Sequence, residues 1–95
     1  MGDYHRVGSL RSFSYVELAD RAAIRLREFK NPTRYAVTCD PDGIVMVEPY
    51  GDAVPDDVVG VYDPDTIDGK GGLPTIRLAR QIAADLRHHR EAANA

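Results

Sequence analysis

Nine carboxylates lie between Tyr35 and Gly69, with no Lys or Arg among them: Asp40, Asp42, Glu48, Asp52, Asp56, Asp57, Asp63, Asp65 and Asp68. Three outcomes suit such a density. The oxygens can coordinate calcium, they can present a negative field to a basic partner, or they can simply be solvated in turns that favour Asp. The flanks differ in sign. Residues 1–34 carry seven basic and four acidic side chains, and residues 70–95 carry five and two. The three segments therefore hold +3, −9 and +3, which recovers the net charge of −3.

Calcium is the first chemistry to weigh. Asp63-Pro64-Asp65-Thr66-Ile67-Asp68-Gly69 resembles the opening of an EF-hand loop, but with one residue too many. The twelfth position from Asp63 is Pro74, which offers no closing carboxylate, so no metal site is expected. A negative surface is the alternative. Phosphates along a nucleic acid are regularly spaced negative charges, and carboxylates held on a rigid sheet can imitate them. Small inhibitors from phages and mobile elements, anti-CRISPR proteins included, use that device, and the link to them is one of analogy. The residues expected to meet a basic nucleic-acid-binding partner are Glu48, Asp52, Asp56, Asp57, Asp63, Asp65 and Asp68.

The other reactive side chains point to no recognised motif. Cys39 is the sole cysteine, so no intrachain disulfide can form. It ends an apolar run, where a half-buried thiol is ordinarily inert. His88 and His89 are neighbours, which diverge by about 100° on a helix and do not chelate together. Asp85 and His89 share a face, but two ligands are too few for zinc. The expected role of the His pair is to complement a helix C-terminus, with His89 continuing the apolar face. Gly69-Lys70-Gly71-Gly72 could form an anion nest, yet it lacks the phosphate-loop pattern and Asp68 adjoins it. The expectation is a protein without catalytic residues, metal or cofactor.

The elements that must position these groups are legible from period and punctuation. Ser14-Tyr15-Val16-Glu17 is a capping box, and Phe13 stands at the staple position before it. A helix is predicted from Tyr15 to about Lys30, with Tyr15, Leu18, Ala19, Ala22, Leu26 and Phe29 on one face. Ile24 points away from that face. Asn31-Pro32 ends the helix. Strands follow at Arg34–Cys39 and Ile44–Glu48, joined by Asp40-Pro41-Asp42-Gly43, where proline presets φ and glycine supplies a left-handed residue. A third strand is predicted at Val58–Tyr62. The last helix runs from about Thr75 to Arg90, opened by Pro74, with Ile76, Leu78, Ala79, Ile82, Ala83 and Leu86 on its apolar side. Arg77, Arg80 and Arg87 share the opposite side.

These elements predict an α+β domain of order αβββα, a three-stranded antiparallel meander with two helices packed on one face. Residues 1–13 are expected to be an N-terminal arm, in which Tyr4–Val7 could form a short strand. Residues 14–91 are the single domain and 92–95 a frayed tail. That order of elements resembles the double-stranded-RNA-binding domain over about residues 14–90. The resemblance implies binding of nucleic acid through the last helix, with Lys70, Arg77, Arg80 and Arg87 toward phosphates. In that family a His-bearing loop between the first two strands enters a minor groove, whereas this loop is Asp40-Pro41-Asp42-Gly43.

Composition bounds the rest. Hydrophobic residues make up 43% and charged residues 28%, an ordinary globular balance. No apolar run is long enough to span a bilayer, and Arg6 stands where a myristoylation signal needs Ser or Thr. The cytoplasm is the expected location. The function expected is non-enzymatic protein–protein contact: an acidic face that occludes a nucleic-acid-binding surface. A nucleic-acid-binding module using Arg77, Arg80 and Arg87, or a self-associating domain such as a homodimer, is the alternative.

Overall fold

The computed structural model describes residues 5–28, 34–51, 57–62 and 73–93. The order is β1(His5–Ser9), α1(Tyr15–Glu28), β2(Tyr35–Cys39), β3(Ile44–Pro49), β4(Val58–Tyr62) and α2(Leu73–Ala93). The class is α+β, as expected. The sheet differs from the predicted meander in two respects. It has four strands in the order β1-β3-β2-β4, all neighbours antiparallel.

The first difference is β1, which lies within the segment expected to be an arm. Its sequence hides it because only Val7 is fully buried, and a bulge between Arg6 and Gly8 breaks the alternation. Backbone pairing with β3 holds it, as does a hydrogen bond from Arg21 Nε to the Val7 carbonyl at 2.8 Å. Leu10 N–H donates to the Gly43 carbonyl at 2.9 Å and ties the end of β1 to the β2–β3 turn. The second difference follows from the first. Since β1 occupies the outer edge of β3, β4 pairs instead with the free edge of β2.

α1 begins where the capping box places it. Glu17 N–H donates to Ser14 Oγ at 3.1 Å, and Ser14 N–H donates to Glu17 Oε1 at 3.0 Å. Hydrogen bonding to Ser14 holds the Glu17 carboxyl below its usual range. Leu18, Ala19, Ala22, Ala23 and Leu26 are buried along one stripe of α1. Leu78, Ala79, Ile82 and Leu86 do the same for α2. Both stripes meet Val7, Tyr35, Val37, Cys39, Val45, Val47 and Tyr62 in one core. Register places those of β2, β3 and β4 on a common face, and the bulge in β1 lets Val7 join them, so both helices cover one side of the sheet. The opposite side carries Ala36 and Thr38 on β2, Met46 and Glu48 on β3, and Val58 and Val61 on β4.

Candidate functional site

Three of the four described acids of the negative segment, Asp40, Asp42 and Asp57, lie at one end of the sheet. The β2–β3 turn forms because Asp40 takes the turn's orphan amides: its Oδ1 accepts Asp42 N–H at 2.9 Å and Ile44 N–H at 3.0 Å. Gly43 closes the turn with φ 85° and donates to the Asp40 carbonyl at 2.9 Å. Asp57 enters β4 beside it. Its carbonyl accepts Cys39 N–H at 3.0 Å, and its φ of 57° is left-handed, which Asp tolerates better than most residues. Asp40, Asp42 and Asp57 thus surround the end of β2.

The same corner is tied to the end of α2. His89 Nε2 lies 3.3 Å from the Cys39 carbonyl, and Arg90 Nη1 donates to the Asp40 carbonyl at 3.2 Å. His89 therefore spends its ring nitrogen on backbone. Cys39 is buried, and burial pushes its thiol up. Arg90 opposes that shift, while Asp40 and Asp57 add to it. The thiol stays protonated, which suits a core side chain and not a nucleophile.

The structure separates the predicted partner-binding acids. Glu48 lies on the helix-free face opposite Ala36, away from the turn, and burial raises its carboxyl. Asp57 belongs to the acidic end. Asp52, Asp56, Asp63, Asp65 and Asp68, with the calcium-like stretch and Lys70, lie outside the described residues. Among the described residues no three His, Cys, Asp or Glu side chains gather to hold a metal. The alternative arginines do not act alike. All three are exposed, and Arg87 in addition sits over the Tyr15 ring at 5.6 Å.

A second feature was not anticipated. An open hollow of about 360 Å³ runs between α1 and α2 on their solvent side. Val16, Asp20 and Ile24 form the α1 wall; Ile76, Ala79, Arg80 and Ala83 form the other. Among the described residues, three of the four large exposed apolar side chains border it: Val16 at 57%, Ile24 at 56% and Ile76 at 50% exposure. Ile76 was expected in the core stripe; it lies outside because Leu78 and Ile82 take the inward positions. The signal available in sequence was the row Val16, Asp20, Ile24 at spacing four, flanking the core stripe.

A third feature is internal. The Tyr62 hydroxyl donates to Asp85 Oδ2 at 2.6 Å, and Gln81 Nε2 donates to Oδ1 at 2.8 Å. Burial raises the Tyr62 hydroxyl pKa strongly, and the Asp85 hydrogen bond and charge raise it further. Gly60 makes room for this contact, since a Cβ there would collide with the Tyr62 hydroxyl. Among the described residues no helix is long and apolar enough to cross a membrane. Comparison of the chain with protein-family models, curated proteins and solved structures finds no match.

Proposed function

We propose that this protein is a non-enzymatic binding protein that uses its acidic segment against a basic, nucleic-acid-binding surface of another protein. One observation carries the reading: the segment 35–69 has nine acids and no Lys or Arg, and three of the four strands belong to it. Asp40, Asp42 and Asp57 lie together at the end of β2, where Arg6, Arg11 and Arg90 border the same corner, so the support comes from the charge of the whole segment and not from this corner alone. The occupied His89 and the protonated Cys39 support a binding role over a catalytic one. The mechanism is occlusion: the acidic face occupies the groove that phosphates would enter, as in inhibitors of the anti-CRISPR kind.

The test uses a nucleic-acid-guided nuclease complex as the first basic partner, titrated at several salt concentrations. Asp52→Lys with Asp56→Lys reverses two charges while sparing Asp57, whose left-handed backbone and carbonyl serve β4. The double change is expected to weaken binding at least tenfold, about 1.4 kcal/mol, and to flatten the salt dependence. Equal binding by wild type and variant removes the acidic contact. Retardation of duplex DNA or RNA by the wild type, lost on replacing Arg77, Arg80 and Arg87 by Ala, replaces this reading with direct nucleic-acid binding.

A further inference from the structure

The hollow between α1 and α2 belongs to the helix layer, outside the acidic segment, and so stands apart from the function proposed above. Its α1 wall is a ridge. Val16, Asp20 and Ile24 are successive members of one row at spacing four, and such rows pack into the groove of a facing helix pair. Two of the three are apolar and more than half exposed, and Ile76 faces them from α2. The charges decide what fits. Asp20 stands on one wall and Arg80 on the other, both exposed, and among the described residues no ion pair joins them.

An acid on one wall and a base on the other is complementary to itself under a two-fold axis. In such a contact a residue meets its counterpart twice, once from each copy. We propose that this groove binds a second copy of the same chain. The ridge of one copy enters the hollow of the other, covering Val16, Ile24 and Ile76. Asp20 of each copy then faces Arg80 of its partner. A partner with one uniform charge would leave either Asp20 or Arg80 opposed by a like charge. The second copy satisfies both. The helix layers meet in the centre of this dimer, and the two helix-free sheet faces point outward.

Sedimentation equilibrium of the full chain tests the proposal, with no other partner present. Wild type is expected to dimerise. Asp20→Arg alone, or Arg80→Asp alone, places like charges in contact twice and is expected to weaken the dimer at least about tenfold. Asp20→Arg combined with Arg80→Asp exchanges the two walls and is expected to restore association to within about threefold of wild type. Ile24→Asp with Ile76→Asp is expected to give monomer with unchanged circular dichroism, since both sites are exposed. If that pair impairs folding, Ile24→Ala with Ile76→Ala serves instead and is expected to weaken the dimer. A wild type that stays monomeric at about 1 mM overturns the proposal. So does a dimer insensitive to the isoleucine changes, or single swaps that the double swap fails to rescue. None of these outcomes bears on whether the acidic segment binds a basic protein.

Discussion

The two faces of the sheet share the same four strands but are built differently. On the covered face, Val7, Tyr35, Val37, Cys39, Val45, Val47 and Tyr62 are all buried beneath the helices. On the free face, the centre holds the small, buried Ala36 and Thr38, flanked by half-buried Met46, Glu48 and Val58 and the exposed Val61. The covered face is specified by volume. Its Tyr62–Asp85 contact is paired, and Gly60 is kept without a side chain to admit it. The free face combines apolar area with a carboxylate whose burial already disfavours its charge. Among the described residues, both helices therefore pack on one side of the sheet, and no helix lies over the other.

Truncation sharpens that contrast most. Ile82 is fully buried in the core, and Ile82→Ala is expected to cost about 2–5 kcal/mol through lost burial and a residual cavity. Met46→Ala on the free face is expected to cost less than about 1.5 kcal/mol. Urea unfolding of both variants with unchanged slope gives the comparison. Equal losses would mean that the free face is as tightly packed as the covered one.

A smaller effect probes the polar contact. Tyr62→Phe removes the hydroxyl but leaves Asp85 its bond from Gln81, so a loss of about 1 kcal/mol is expected near neutral pH. The sign with pH is definite. The folded hydroxyl titrates above its ordinary value near 10, so its contribution is complete below that value. It is lost as pH rises beyond it, because the unfolded chain ionises first. Wild-type melting temperature is therefore expected to fall between about pH 9 and pH 11 more steeply than that of Tyr62→Phe. Parallel curves would remove Tyr62 as the group responsible.

The smallest effect lies on the free face. The Glu48 carboxyl is raised by burial, so its charge opposes folding above its folded pKa. Glu48→Gln is expected to raise the melting temperature slightly at about pH 7 and to leave it unchanged below about pH 4, where both states are protonated. A fall at neutral pH would show that the Glu48 charge has a favourable partner.

Local structure in this protein is determined by the sequence itself. Ser14 and Glu17 start α1 because their side chains reach amides three residues away. Asp40 and Gly43 make the β2–β3 turn because one supplies an acceptor for nearby amides and the other tolerates positive φ. The separation of charge is a property of composition and needs no fold. Tertiary structure decided what depends on contacts distant in sequence. Val7 alone carries too little apolar signal to announce a strand, and only the open edge of β3 and Arg21 make β1 one. Once β1 holds that edge, β4 must pair with β2, so the strand order follows from a segment that looks like an arm. Of the candidate acids, Asp57 joins Asp40 and Asp42 only because β4 runs beside β2, while Glu48 is carried to the other side of the sheet's plan. The same holds for Val16, Ile24 and Ile76. Helical spacing places each off the core stripe or at its margin, but they become one groove only when α1 and α2 lie side by side. Periodicity reports which way a side chain points on its own element; it does not report which element stands next to it.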